Sequence, residues 1–333
     1  MMAKNRPQTF KDFIGDSNKK AVEKLKIIVG ASKLKAQCPP HILLFGNPGC
    51  GKTTLSNIVA NELGYELRTV TGGTLKSQSN ILDVLYDVNK AQLDDKNMVL
   101  FLDECHKIGS TEMPEEMWFP LLEDFHFYHN LKGKTLVFDE DEYKMTNNFS
   151  KTNPFLIIGA TTNPGDLSKA LRDRFQVHCF LHEYTESDLS QIVMNYCDKE
   201  NIKINKDACL AIANRGRNNP RETLNLLTIL TNKIVLDDVD NLEKDYVNNF
   251  LDFLDIDEHG LTNNDIKALE VLSNHEKGMG IENLSGTSGI EKSILKEMVL
   301  PFLQYRGLSK TTHRRLITEK GLKYLERKVK DEN

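Results

Sequence analysis

No stretch of this chain approaches the run of about 18 consecutive apolar residues that a membrane-crossing helix needs, so no membrane span is expected. The opening MMAKNRPQTF lacks the apolar core of a secretory signal, which makes a cytoplasmic location the expectation. The six cysteines (Cys38, Cys50, Cys105, Cys179, Cys197, Cys209) form no C-x-x-C pair and have no His at zinc-finger spacing. That excludes a disulfide framework or a structural zinc motif and leaves reduced thiols; Cys50 and Cys105 fall inside motifs described below and are candidate points of oxidation sensitivity. Global positive charge is missing too: a net charge of −5 argues against a nucleic-acid binder that is basic all over. No internal repeat is present. Charge is instead segregated, because residues 303–330 carry nine Lys or Arg against only Glu319 and Glu326. On charge alone, that end fits contact with phosphates and a solvated helix face equally well.

What is present is enough for two or three domains, each with its own core, in 333 residues. Residues 1–182 alternate strands and helices. HILLF (41–45), MVLFL (98–102) and FLIIGA (155–160) are short apolar runs, and 52–63 has helical periodicity. Runs of this kind separated by helices indicate a parallel sheet covered on both faces, an α/β class. The polar stretch 125–154 is too long for an ordinary connection. It predicts a projecting hairpin, with strands at 125–128 and 135–138 around Lys132-Gly133-Lys134 and an acidic loop at 139–142. Residues 183–255 turn helical, with segments at 186–200, 206–214 and 221–236. Residues 256–333 predict a helix capped by Asn263 or Asn264, a second opening at 281–284, and a third at 290–305 that Pro301 must bend or end. Two short extended pieces, 308–310 and 315–318, follow. Three helices and a small hairpin make a winged helix.

GNPGCGKT (46–53) satisfies G-x-x-x-x-G-K-[ST] directly after a strand and at the start of a helix. Its backbone N–H groups and the helix's positive end suit the β-phosphate of ATP, and Gly46, Gly49 and Gly51 let the backbone approach without a Cβ. By composition the pattern arises by chance in roughly one chain of this length per hundred, and the strand-turn-helix context makes chance rarer. Lys52 is expected to bridge β- and γ-phosphates and Thr53 to bind Mg²⁺. MVLFLDECH (98–106) puts Asp103 and Glu104 at the carboxyl end of a buried strand, where open α/β sheets keep their ligands. Asp103 is expected to hold Mg²⁺ through water and Glu104 to act as general base, which points to turnover and not to nucleotide binding alone.

With these motifs the chain resembles the AAA+ ATPases and, within them, the RuvB family of Holliday-junction branch-migration motors, over nearly its full length. RPQTFKDFIG (6–15) looks like the family's adenine-cradling opening, which implies contacts from Arg6, Phe13 and Ile14. The resemblance adds Cys50 and Thr54 to the nucleotide contacts and, more weakly, Tyr184. EEMWFPLLEDF (115–125) looks like the helix after the Walker B strand. In IIGATTNPGDLSKALRDRF (157–175), Thr162 takes the sensor-1 position, with Thr161 the fallback. Arg174 matches the arginine finger that enters a neighbouring subunit's site, with Arg172 the second candidate; related fingers are worth roughly 10³–10⁵ in rate. RGRNNPRETLNLL (215–227) looks like the lid segment whose Arg221 reaches the γ-phosphate. ATP would then bridge two domains, and hydrolysis would change the angle between them.

The chain's end, DEHGLTNNDIKAL (257–269) and LPFLQYRGLSKTTHRRLITEKGLKYL (300–325), also resembles the family, whose wing touches the DNA backbone. That implies DNA contact by His313, Arg314 and Arg315 through phosphates, independent of sequence and weakened by salt. Two departures stand out. The family's wing reads Arg-Gly-Arg where this chain has His313-Arg314-Arg315, and the 125–154 hairpin is longer and different. In the family that hairpin docks a junction-binding partner, so a RuvA-like partner is implied, with Leu131 the main apolar candidate at the tip. The leading expectation is a hexameric DNA-translocating ATPase acting on branched DNA in recombination and repair. The alternatives are an initiator or helicase-loading switch of the Orc type, a clamp-loader subunit, and a non-catalytic nucleotide-dependent adaptor.

Overall fold

The computed structural model describes residues 6–108, 115–128, 149–151 and 153–331. The chain divides into two compact units, Met1–Asp188 and Leu189–Asn333. In the first, the order is α1 (Lys19–Lys35), β1 (Ile42–Phe45), α2 (Lys52–Leu63), β2 (Glu66–Thr71), α3 (Gln78–Leu93), β3 (Met98–Asp103), α4 (Phe119–Asp124), β4 (His126–Tyr128), β5 (Phe149–Lys151), β6 (Leu156–Thr161), α5 (Lys169–Asp173) and β7 (Val177–Phe180). Five strands form one parallel sheet in the order β2-β3-β6-β1-β7.

The alternation of side chains along β3 explains why both faces are covered. Leu100 and Leu102 join one apolar cluster with Ile81, Leu85 and Trp118, whereas Val99 and Phe101 join the other with Leu25, Leu55 and Ile58. A strand buried on both sides must be apolar at every position, which is why β1, β3 and β6 stand out in the sequence. β2 (ELRTVT) is an edge strand with a mostly exposed pattern, so its polar residues conceal it. Because β3, β6 and β1 are neighbours and parallel, the loops after all three open at the same edge of the sheet.

The hairpin differs in its pairing. β4 pairs antiparallel with β5, so the described partner of 126–128 is 149–151. The expected strand at 135–138, the Leu131 tip and the acidic loop at 139–142 lie outside the described residues.

From α6 (Glu186–Lys199) the chain continues through β8 (Lys203–Ile204), α7 (Lys206–Arg215), α8 (Pro220–Asp237), β9 (Asn241–Leu242) and α9 (Lys244–Phe253). These pack around Cys197, Ile212, Leu227, Leu230, Val247 and Leu251. The fourth helix, α9, and the two-residue strands β8 and β9 were not among the expected elements. A second cluster, centred on Leu269, Leu284, Leu295, Phe302 and Leu303, belongs to the winged helix. That part comprises α10 (Asn263–Ser273), α11 (Ile281–Ser288), α12 (Lys292–Ile294), a π-helical turn (Leu295–Val299), α13 (Leu300–Tyr305), β10 (Ser309–Thr311), β11 (Arg315–Ile317) and α14 (Glu319–Asp331).

One expectation here is corrected and another narrowed. The residue that caps α10 is Thr262, not Asn263 or Asn264, because the Asp265 carboxylate accepts from both the backbone N–H and the hydroxyl of Thr262. Of the two outcomes expected at Pro301, an end is ruled out, because the helical stretch continues to Tyr305. The π-helical turn immediately before α13 widens the coil where proline offers no N–H and crowds the carbonyl four residues back. No helix among the described residues is long and apolar enough to cross a membrane.

Candidate active site

The loop between β1 and α2 is shaped by its glycines. Gly46 has φ 156°, and a Cβ there would lie 2.6 Å from the Cys50 Sγ and 2.7 Å from the Leu181 carbonyl. Gly51, at φ 99°, would push a Cβ to 3.1 Å from both Phe13 and Tyr184. Gly49 is also left-handed, at φ 81°. The loop therefore tolerates no side chain at these points. Lys52 is buried, and its ammonium donates to the carbonyls of Gly46 (2.7 Å) and Asn47 (3.1 Å). It is thus folded over the same loop that would cradle a phosphate, close enough to exchange carbonyl oxygens for phosphate oxygens. Thr53 and Thr54 follow in the first turn of α2, half-buried.

Tyr184 is buried against this loop, its hydroxyl donating to the Cys50 carbonyl at 3.3 Å. Burial raises its phenol well above the ordinary tyrosine range. Phe13 lies beside it, with ring centroids 6.4 Å apart, and Ile14 is half-buried, whereas Arg6 is exposed. Cys105 does not fit the oxidation-sensitive thiol expected from its position: it is fully buried, and burial pushes its pKa up to about 12. Cys50 is buried as well.

At the end of β3, Asp103 accepts the backbone N–H of Glu104 (3.1 Å). Glu104 itself has a left-handed backbone, φ 49°, uncommon for a residue other than glycine, asparagine or aspartate. Gly72, after β2, comes so close that a Cβ on it would stand 2.5 Å from the Glu104 carbonyl.

Two hydroxyls at the end of β6 then divide the work. Thr162 donates to a Glu104 carboxylate oxygen at 3.0 Å, while the buried Thr161 hydroxyl lies 2.9 Å from the His106 Nδ1. The same Nδ1 is 3.2 Å from the Glu104 carboxylate. His106 was missed as a site residue in the sequence; its only signal was its place two residues after Glu104. The arrangement holds the carboxylate by the Thr162 hydroxyl, sets the His106 ring beside it and leaves it half-exposed, which suits a base that must accept a proton from water.

Arg174 and Arg172 flank the end of α5. Arg174 pairs with Glu123 (3.0 Å), donates to the Ala170 carbonyl (2.8 Å) and lies 3.7 Å over the Phe119 ring. Arg172 donates to the Pro164 carbonyl (3.2 Å). Arg221 belongs to the second unit, exposed in the first turn of α8, where Asn219 caps its backbone N–H (2.9 Å). At the wing, His313 and Arg314 are exposed in the β10–β11 turn, and Arg315 is half-buried. The backbone of Arg315 pairs with Met279. A Cβ on the left-handed Gly278 would meet the Arg315 carbonyl at 2.6 Å, so this glycine lets the preceding turn pack against the wing.

Known proteins show the same organisation. A family model described as the Holliday junction DNA helicase RuvB P-loop domain matches residues 5–181, and one described as the RuvB C-terminal winged helix domain matches 258–326. The Holliday junction branch migration complex subunit RuvB of Leuconostoc mesenteroides is 33% identical over 323 residues, 96% of this chain and 87% of that protein. The subunit of the same name from Campylobacter hominis is 31% identical over 326 residues, covering 96% of this chain and 91% of its own. Among solved structures, the Thermotoga maritima RuvB Holliday junction branch migration motor superposes with a TM-score of 0.78 at 29% identity, over 97% of this chain and 98% of that one. The architecture is therefore that of a nucleotide-binding AAA+ P-loop core with a helical lid and a winged helix.

Proposed function

The chain belongs to the RuvB family, and from that premise we propose that it is an ATP-hydrolysing motor that drives branch migration of Holliday junctions in recombination and repair. The observation that carries the reading is the hydrogen bond that Thr162 donates to the Glu104 carboxylate, with the His106 ring 3.2 Å from the same carboxylate, within a unit that also holds a glycine-shaped phosphate loop. A protein that merely bound nucleotide would have no need to restrain a carboxylate there. The initiator-type alternative is not favoured, since the RuvB match runs almost the full length of the chain.

The residues fit ATP and its metal. The glycines let the loop 46–51 adopt a turn that side chains would not permit, and the Lys52 ammonium is already turned over it. Gly46, Gly49, Cys50, Gly51, Lys52 and Thr54 would hold the phosphates, with Phe13, Ile14, Tyr184 and Arg6 on the base side. Thr53 and Asp103 would hold Mg²⁺, which when bound neutralises charge on the β- and γ-phosphates. Glu104 takes the proton of the attacking water, and Thr162 and His106 fix the direction of its carboxylate. Arg174 of a neighbouring copy stabilises charge on the transferred phosphoryl group. To do so it must leave Glu123 and Phe119, so assembly and catalysis are linked. Arg221 would meet the γ-phosphate from the lid.

This division of labour calls for a homo-oligomeric ring, and a hexamer is the natural form. The wing residues His313, Arg314 and Arg315 would contact DNA phosphates, Arg315 with less reach than the other two. The hairpin after α4 is the place for a RuvA-like junction-binding partner. The expected division into domains at 182/183 and 255/256 assigns ATP to the first two and DNA to the third. A DNA-processing motor with no membrane-crossing helix among its described residues belongs in the cytoplasm.

Steady-state ATP hydrolysis with and without a synthetic four-way junction, in wild type and Glu104→Gln, tests this. Wild type should hydrolyse ATP and respond to the junction. The variant should bind ATP yet lose about 10²–10⁴ in turnover. An ATP turnover unchanged by Glu104→Gln would remove the base from the mechanism.

A further inference from the structure

Within the second unit, the lid and the winged helix have separate apolar clusters, and what joins them is polar. The joint is concentrated in residues 214–218. Arg215 is buried and donates to the Ile256 carbonyl (3.2 Å), the Asn248 side chain (2.7 Å) and Asp252 (2.9 Å). Gly216 lies so close to α8 that a Cβ would stand 1.9 Å from the Thr223 hydroxyl. Arg217 then turns away from the lid and crosses to the winged helix. Its guanidinium makes a two-pronged contact with Asp265 (2.5 and 3.1 Å), donates to the Met298 carbonyl (2.9 Å) and stacks 4.0 Å over the Phe302 ring. Next to it, Asn218 donates to the Tyr305 hydroxyl at 3.0 Å. Arg306 answers from the other side, donating to the carbonyls of Asn214 (3.0 Å) and His259 (2.7 Å).

Three features say that this joint sets geometry more than it supplies stability. Arg217 and Asn218 are consecutive non-glycine residues in the left-handed region, φ 53° and 56°, a conformation that asparagine takes up readily but arginine seldom does. Asp265 is fully buried, and a buried ion pair is weak evidence for stability but a strong orienting device when two-pronged. The targets on the winged helix, Met298, Phe302 and Tyr305, all lie on the helical stretch from the π turn through α13, three residues before β10 of the wing. On the lid side, Asn219 and Arg221 follow directly. One short segment therefore ties the residue proposed to meet the γ-phosphate to the helix that carries the wing.

We propose that Arg217 is the positioning residue that makes the Arg221 segment and the wing helix one mechanical piece, so that lid movement on ATP hydrolysis is delivered to the DNA-contacting wing. The proposal rests on the motor reading above. Arg217 touches neither nucleotide nor DNA in this scheme; it acts through Asp265 and Phe302. Its loss should uncouple hydrolysis from movement and leave hydrolysis itself in place.

The test uses the full chain, ATP and a synthetic four-way junction, and reads the number of junctions resolved per ATP hydrolysed. Arg217→Gln should keep ATP turnover and junction affinity near wild type, while junctions moved per ATP fall by about tenfold. Arg217→Lys keeps the charge but not the planar fork or its stacking, and should fall between. Asn218→Ala combined with Tyr305→Phe leaves the buried ion pair alone and should lower the ratio by about two- to threefold. A merely structural role for Arg217 would reduce hydrolysis and movement together and leave the ratio unchanged, which would overturn the proposal, as would wild-type coupling in Arg217→Gln. A wild-type chain that moves no junctions would defeat the motor reading instead, and the two failures are thereby distinct.

Discussion

The nucleotide site of the first unit and the lid–wing joint of the second are built from different materials. The former is written mainly in the backbone. At Gly46 a single carbon would collide with the Cys50 sulfur and the Leu181 carbonyl, at Gly51 the left-handed backbone disfavours one, and Lys52 and Thr53 follow directly along the chain. The joint is written in arginines. Arg217 reaches Asp265 across 48 residues of sequence, and Arg306 reaches the Asn214 carbonyl across 92. Backbone-defined sites must repeat a short pattern, so a motif reveals them. Side-chain joints can be made by any residues that meet, and no local pattern marks them.

Four experiments probe that contrast. The largest effect is expected from Arg174→Ala, which should reduce ATP turnover by about 10³–10⁵. Adding a turnover-dead Glu104→Gln partner that retains Arg174 should restore activity in mixed assemblies. The restoration matters because the cis contacts of Arg174 with Glu123 and Phe119 could not produce it.

The second concerns acid. His41 is buried in the first unit, its Nδ1 accepting from the Ile157 N–H, and desolvation lowers its pKa from 6.5 to about 4. A histidine with a lowered folded pKa leaves stability intact above the unfolded value and erodes it as pH falls from 6.5 towards 4, by up to about 3 kcal/mol. The first unit should thus open in acid before the second. His41→Asn, which keeps an acceptor for Ile157 but does not titrate, should flatten the pH dependence of urea unfolding between these values. An unchanged pH profile would place the acid-sensitive group elsewhere.

Gly72→Ala comes third. A Cβ 2.5 Å from the Glu104 carbonyl must displace the proposed base, and a misplacement of roughly 1 Å is worth about 10²-fold in turnover. ATP affinity, measured with a fluorescent analogue, should change little, because the phosphate loop lies on a different strand. Equal losses in affinity and turnover would mean that Gly72 supports the fold and not the base. The smallest effect belongs to the wing. Arg314→Ala with Arg315→Ala should flatten the salt dependence of duplex binding by up to about two units of log K per log salt. A loss of about one unit would show that only the exposed Arg314 reaches phosphate, in keeping with the half-buried position of Arg315.

The same contrast explains what could be read from the sequence. Strands β1, β3 and β6 were evident because burial on both faces leaves no room for polar residues. The phosphate loop, Asp103 and Glu104 were evident because their spacing is dictated by strand-turn-helix geometry. β2 was hidden by the polar residues of an exposed edge, and β5 by the long insertion that separates it from β4. The Thr262 cap was missed in favour of its asparagine neighbours, since the reciprocal contact with Asp265 decides the matter and composition does not. Pro301 signals a bend or an end, and nothing in the sequence chooses between them because the π turn that lets the helix continue has no sequence signature. His106 was passed over because its role depends on Thr161, 55 residues away.

The measurement that tests the proposed motor most directly is real-time conversion of a synthetic four-way junction by the full chain, with ATP or a non-hydrolysable analogue. ATP should drive conversion by the wild type, while the analogue and Glu104→Gln should leave the junction in place. Steady ATP hydrolysis over an unmoved junction, or equal conversion with the analogue, would contradict an ATP-driven branch-migration motor.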